Sequence, residues 1–157
     1  MNIFYLHEVP ETAARYLCDK HINKMLIESV QMLSTCHHVI GSGSDAMYRP
    51  AFQNHPCSIW VRESVQNYFW LKNHALQIGE EFLIRFGKVH ATTVVLNAIP
   101  DPDLPLIGIT PPAQAMPDEY KNDDPVQAYR AYYLNDKKRF AKWEKGIPAP
   151  YWWPKNK

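Results

Sequence analysis

The sequence contains little glycine, few cysteines and no long apolar run, and each shortage excludes a class of protein. Only six glycines occur in 157 residues, and none forms a phosphate-binding loop between a strand and a helix. Three cysteines cannot all pair, which predicts free thiols and a cytoplasmic location. No apolar stretch approaches the roughly 20 residues of a membrane span, and Glu8 and Glu11 argue against a signal peptide.

The length and overall composition predict one ordinary globular domain, covering residues 1–157. Domains cluster at about 100–150 residues, and a chain of this size buries a core without metal or disulfide support. Apolar residues make up 46% of the chain and charged residues 21%, which argues against disorder. The formal net charge of +1 argues against a strongly basic nucleic-acid-binding protein.

The charges are nevertheless segregated along the chain. Residues 137–157 carry a formal charge of +6, while the preceding 136 residues carry −5. Basic residues mixed with aromatic ones suit phosphate contact and base stacking. The alternative is a solvated helix end whose aromatic residues close the core. The aromatic residues concerned are Phe140, Trp143, Tyr151, Trp152 and Trp153.

Helical spacing of apolar residues and the absence of long strand-like alternation predict an all-α fold. We expect a compact single-domain bundle of three main helices with a proline-rich strap and an aromatic C-terminal tail. Residues 2–6 should form an extended segment that docks on the core, and prolines should keep the strap extended. The predicted ranges are 10–40, 57–86 and 124–143 for the main helices, 90–98 for a short helix and 99–118 for the strap.

Polar residues inside two apolar stripes are the best candidates for chemistry. His21 and Glu28 lie two helical turns apart on one face of the first helix. Asn67, His74 and Glu81 repeat this seven-residue spacing on the second helix. A carboxylate on a core-facing stripe must be paired, protonated or exposed to a cavity. The two faces therefore predict a polar pocket, and the alternative is a hydrogen-bond network that sets helix register.

The cysteines and histidines do not repeat with the spacing of a zinc site. Cys18 and His21 are separated by two residues, as in one half of a zinc site, but no second pair with this spacing follows. Buried cysteine is the common case. We expect no bound metal and no cofactor.

The run Asp19-Lys20-His21-Ile22, followed by Glu28, resembles the pyrimidine-dimer DNA glycosylases typified by phage endonuclease V. In that family a D-Q-H-L run precedes the catalytic Glu at the same spacing. The end of the second helix, Arg85-Phe86-Gly87, resembles the family's terminal R-G, and the aromatic tail is similar as well. The chain is also similar to a widespread group of phage proteins that begin M-N-I-F.

The resemblance implies a compact all-α enzyme whose N-terminal amine attacks a sugar C1′ in DNA. Glu28 would act as acid and base, His21 would orient it, and the amine of Met1 would be the nucleophile. A Schiff base and strand scission would follow. The family has Arg directly before the Glu and three residues after it, where this chain has Ile27 and Gln31.

We assign the remaining candidates to ligand or DNA binding. The predicted binding residues are Asn2, Lys20, Lys24, Gln31, Asn54, His55, Arg62, Asn67, His74 and Glu81. Lys20, Lys24, Arg62 and the basic tail would contact phosphates.

Three functions fit this sequence. The first is a phage-type DNA glycosylase or glycosylase/lyase that acts on a pyrimidine nucleotide. The second is a transferase or hydrolase of hypermodified DNA bases on the same scaffold. The third is a non-catalytic protein that binds and sequesters free nucleotides. The partner is DNA or a nucleotide in each case, without a membrane. If a phage encodes the chain, its location is the host cytoplasm.

Overall fold

The computed structural model describes residues 1–155, and within that range the secondary structure is entirely helical. The all-α prediction is therefore confirmed. A 3₁₀ turn at Asp118–Tyr120 and a π-helical turn at Tyr133–Lys137 accompany the α-helices. The α-helices are α1 (Pro10–Tyr16), α2 (Asp19–Ile40), α3 (Pro56–Glu63), α4 (Val65–Phe86), α5 (Thr92–Ala98) and α6 (Pro125–Tyr132).

The two 22-residue helices α2 and α4 pack against each other and form the centre of the molecule. α1 lies on α4, and α3 contacts both long helices. Each long helix ends at a glycine in the left-handed conformation, Gly41 at φ 89° and Gly87 at φ 74°. Glycine adopts this conformation without the steric penalty of a Cβ, which explains both ends.

The predicted first helix is two helices, and the single range 10–40 was wrong. The backbone is extended at Leu17 and Cys18, between α1 and α2. The carbonyl of Leu17 accepts a hydrogen bond from the guanidinium of Arg85 at 2.7 Å, and the N–H of Cys18 donates to the Tyr133 hydroxyl at 3.2 Å. Side chains from distant parts of the chain thus satisfy the backbone groups that the break leaves free.

The predicted second helix is also divided, at Ser64. The backbone of Ser64 is extended, and its hydroxyl accepts a hydrogen bond from the N–H of Asn67 at 3.0 Å. Serine is a favoured N-cap for this reason. The N–H of Val65 donates to Pro105 of the strap at 2.9 Å.

The third main helix is shorter than predicted. α6 begins at Pro125 behind an N-cap aspartate, Asp124, whose side chain accepts from the N–H of Val126 at 3.0 Å. It ends at Tyr132, and a π-helical turn follows. Trp143, the expected end, lies outside any helix. The aromatic packing of residues 133–153 explains this, because Tyr133 contacts the rings of Trp143, Trp152 and Trp153.

Residues 99–117 are extended and irregular, as the prolines predict, and they lie across the helices. Asn67 holds this strap through Thr110, accepting from its N–H at 2.9 Å and contacting its hydroxyl at 2.7 Å. The indole N–H of Trp60 donates to the carbonyl of Thr110 at 3.0 Å. The chain start docks on the core as predicted, with Ile3 and Leu6 buried.

Among the helices at residues 1–155, none is long and apolar enough to cross a membrane.

Candidate active site

The start of the chain contacts the carboxylate of Glu28. The amine of Met1 lies 3.2 Å from Glu28 Oε1, and the backbone N–H of Asn2 donates to the same oxygen at 3.0 Å. Lys24, one turn earlier on α2, places its Nζ 3.9 Å from the other oxygen. The Glu28 side chain is 12% exposed, so it is largely shielded while remaining reachable.

Asn2 determines the path of the chain start. Its Oδ1 accepts hydrogen bonds from the N–H groups of Ile3 at 2.7 Å and Phe4 at 2.9 Å. Its Nδ2 donates to the carbonyl of Ala115 in the strap at 2.9 Å. This Asx turn leaves Phe4 at φ 43°, a left-handed conformation that is costly for an aromatic residue. The turn thereby holds the Met1 amine at Glu28.

His21 lies in the core beside this turn, where its Nδ1 is hydrogen-bonded to the Tyr133 hydroxyl at 2.6 Å. Its ring stacks on Phe4 with centroids 4.6 Å apart. Burial, then the charges of Lys137, Lys24 and Lys20, lowers the pKa of His21 to about 3, so the ring is neutral at pH 7. His21 therefore contacts the chain start only by stacking on the ring of Phe4. Its hydrogen bond is with Tyr133 and not with Glu28.

The loop before α3 approaches the same place. His55 caps α3, its Nδ1 accepting from the N–H of Cys57 at 3.1 Å. Its pKa is lowered by burial and by the positive charge of the Met1 amine, while the Glu28 carboxylate raises it. Burial raises the pKa of the Cys57 thiol to about 11, and the same two charges act on it. The neighbouring Asn54 is exposed.

One lysine contacts the Glu28 carboxylate, and two more lie on nearby aromatic rings. Lys24 is exposed, and Lys20 places its Nζ 4.7 Å from the ring centroid of Phe140. Lys137 lies 4.7 Å above the ring of Tyr132, which itself stacks on Phe4. Cations beside aromatic faces suit a polyanionic ligand with stacked bases.

The predicted binding residues on α4 have hydrogen-bond or ion-pair partners within the protein. Asn67 holds the strap, as described above. His74 donates from Nδ1 to the carbonyl of Pro10 at 3.0 Å, and burial lowers its pKa to about 4. Glu81 forms an ion pair with Arg85 at 3.1 Å. These contacts correspond to the hydrogen-bond network that was the alternative to a shared pocket.

Two further predicted residues flank the site. Arg62 on α3 donates from Nη1 to the carbonyl of Gln53 at 2.6 Å, so it holds the loop before α3. Gln31 lies one turn after Glu28 on α2 and is half-buried, as is Ile27.

The basic C-terminal segment lines a separate cleft of about 670 Å³. Lys138, Lys142 and Lys155 are on its walls together with Trp143 and Trp153. Trp152 and Trp153 also pack on Tyr133. The segment therefore has basic side chains facing solvent and aromatic side chains that cover the core. Lys157, the last of its predicted lysines, lies outside the described residues.

A second cleft, of about 350 Å³, lies between α1, α4 and α5 and includes Glu80.

Within residues 1–155 no group of three or more histidine, cysteine, aspartate or glutamate side chains is arranged to hold a metal ion.

Sequence reasoning missed two residues that shape the site. Phe4 gives no periodic signal, because it lies in a non-helical segment. Tyr133 lies within the predicted third helix, 124–143, but nothing local indicates that its hydroxyl reaches His21 and Cys18.

Fold and site together define a small all-α protein that presents a terminal amine to a helix-borne carboxylate beside a basic, aromatic surface. The family described as pyrimidine dimer DNA glycosylase matches residues 1–93. The match covers more than half of the chain, and the chain belongs to this family. It includes α1 to α4 and the whole chain start, whereas the strap, α6 and the tail follow it.

No curated protein matches the chain. No solved structure matches it either.

Proposed function

We propose that this protein is a DNA glycosylase with lyase activity on pyrimidine nucleotides, in which the Met1 amine is the nucleophile and Glu28 is the acid and base. One observation carries the proposal: the amine and the Asn2 N–H both converge on one carboxylate oxygen of Glu28, at 3.2 and 3.0 Å. Membership of the glycosylase family supports the substrate class.

The geometry suits the proton transfers of this reaction. The Glu28 carboxylate accepts a proton from the neighbouring ammonium, and the freed lone pair attacks C1′ of the sugar. The bond from C1′ to the base breaks, its electron pair leaves with the base, and the base takes the proton from Glu28. The nitrogen now bound to C1′ gives a proton to Glu28, its lone pair forms the C1′–N double bond as the C1′–O4′ bond breaks, and O4′ takes the proton, which leaves an iminium. Glu28 then takes a proton from C2′, the freed electron pair forms the C2′–C3′ double bond, and the C3′–O bond breaks so that the 3′-phosphate leaves.

The chain start has two positions from which an amine reaches Glu28. Removal of Met1 would make the nitrogen of Asn2 the terminal amine, and that nitrogen is already 3.0 Å from Oε1. The mass of a trapped protein–DNA adduct distinguishes the two nucleophiles.

The lysines around the site would hold the DNA backbone. Lys24 lies 3.9 Å from Glu28, Lys137 lies 5.9 Å from the ring of Phe4, and Lys20 lies on the ring of Phe140, and we assign phosphate contacts to these three lysines. Since Ile27 and Gln31 replace the two family arginines, we expect modest and salt-sensitive duplex binding. Reaching C1′ also requires extrusion of the nucleotide from the stack.

Borohydride trapping tests the proposal. The substrates are duplexes with a single thymine dimer or a single abasic site. We expect a covalent adduct with the wild-type protein, formed roughly 10²- to 10⁴-fold more slowly by Glu28→Gln, because general acid–base catalysis contributes that much. The matched control is Glu80→Gln, because Glu80 is an exposed glutamate on α4. This variant should react like the wild type.

Two results would contradict the proposal. One is the absence of any adduct across both substrates. The other is an unchanged trapping rate in Glu28→Gln. Residues added ahead of Met1 should also abolish the adduct, since they displace the amine from Glu28.

A further inference from the structure

Phe52 is an exposed aromatic residue on an unusual backbone. Its side chain is 69% exposed, and its φ of 50° lies in the left-handed region that β-carbon-bearing residues rarely adopt. Both features are unfavourable in the free protein. Such local strain concentrates at functional sites.

The backbone around Phe52 is held from both sides. Thr35 of α2 contacts Ala51 twice: its hydroxyl accepts from the N–H at 3.0 Å and donates to the carbonyl at 3.3 Å. On the other side, Arg62 donates to the carbonyl of Gln53 at 2.6 Å. The N–H of His55 donates to the carbonyl of Phe52 at 3.0 Å and closes a turn. The ring is therefore presented to solvent from a fixed backbone.

This turn lies beside the amine–carboxylate pair. Thr35 is seven residues after Glu28, so the two are on one face of α2 and about 10 Å apart. At the other end of the turn, His55 is close enough for the charges of Met1 and Glu28 to act on its ring.

We propose that Phe52 is a wedge that enters the DNA base stack beside the nucleotide whose sugar reaches Met1 and Glu28. The inference rests on the proposed function, because it assumes a duplex from which one nucleotide is extruded. Extrusion removes stacking from the neighbouring bases, and an inserted aromatic ring replaces it. The ring also leaves water when it enters the stack, which favours insertion.

The test compares Phe52→Asn with Phe52→Trp. Asparagine tolerates the left-handed backbone, so the first variant removes the ring without adding strain, and tryptophan retains an aromatic face. Val94→Ala on α5 is the matched control, since Val94 is 70% exposed and apolar. Thermal unfolding should show Phe52→Asn to be at least as stable as the wild type.

The substrate is a duplex with one thymine dimer flanked by 2-aminopurine, compared with the same strand without its complement. We expect Phe52→Asn to slow trapping on the duplex roughly 5- to 150-fold, which is the range that loss of one stacked base implies. The rise in 2-aminopurine fluorescence on binding should also disappear. Trapping on the single strand should stay within about twofold of the wild type, because no stack has to be opened.

Several outcomes would overturn the wedge: equal losses on duplex and single strand, no loss on either, or no fluorescence rise with a wild-type protein that forms the adduct. A fluorescence rise that requires Phe52, without any adduct, would support the wedge and refute the lyase. Absence of both signals in the wild type would refute both.

Discussion

Asn2 offers a direct test of how the chain start is held against Glu28. The substitution Asn2→Ala removes the three side-chain hydrogen bonds to Ile3, Phe4 and Ala115. Asn2 is buried, so water does not replace these partners without opening the segment. The left-handed conformation of Phe4 also loses its support.

The magnitude follows from the three bonds. A typical hydrogen bond contributes about 0.5–1.5 kcal/mol net, so three bonds contribute about 1.5–4.5 kcal/mol to docking of the chain start. That free energy corresponds to a roughly 10- to 2,000-fold increase in the fraction of molecules with an undocked chain start. The Met1 amine then loses its fixed position, and a displacement of about 1 Å at a reacting group can lower the rate about 10²-fold.

Hydrogen exchange and borohydride trapping measure the two consequences. We expect faster exchange at the amides of Ile3 and Phe4 in Asn2→Ala, together with slower adduct formation. Asn2→Asp is the matched variant, because it keeps the oxygen that accepts from both amides, while it replaces the donor to Ala115 by a second carboxylate oxygen and adds a negative charge. Its exchange and trapping rates should lie between those of Asn2→Ala and the wild type.

Unchanged exchange at both amides in Asn2→Ala would refute the assigned hydrogen bonds. Faster exchange with an unchanged trapping rate would refute the link between docking and reactivity. Urea unfolding provides the check that the helical body remains folded in both variants.

Two further predictions concern stability. Because burial lowers the pKa values of His21 and His74 to about 3 and 4, these two side chains take up protons only in the unfolded chain as the pH falls from about 6.5 to 5. The folded state should therefore lose about 4 kcal/mol between pH 8 and pH 5, and a flat urea-unfolding profile over this range would contradict the assigned burial. Arg85→Met leaves Glu81 buried without its cation and the carbonyls of Leu17 and Arg15 without their donor, and it should cost about 3–5 kcal/mol of unfolding free energy. Replacing Glu81 by Met as well should recover part of the loss, and strictly additive losses would contradict the pairing.

The helical character of the protein was predictable because its signals are local. Apolar spacing identified α2 and α4, and Gly41 and Gly87 marked where they end. The prolines of the strap likewise excluded regular helix there. These features depend on backbone geometry and on hydrogen bonds between residues three to four apart, which neighbouring sequence is sufficient to specify.

The helix breaks show where local reasoning failed. Nothing at Leu17 and Cys18 resembles a stop signal, since neither glycine nor proline is present. The break is stabilised by Arg85, 68 residues from Leu17, and by Tyr133, 115 residues from Cys18. The break at Ser64 had a local signal, because serine is a favoured N-cap, but the apolar spacing across it obscured that signal.

The sequence by itself determined an all-α chain with a carboxylate at Glu28, seven residues after His21 on one helical face. Only the tertiary structure decided what faces that carboxylate: the Met1 amine approaches it, while His21 bonds to Tyr133 instead. The physical reason is the sequence separation of the partners. Asn2 reaches Glu28 across 26 residues and Ala115 across 113, and such contacts form only when the helices and the strap have packed.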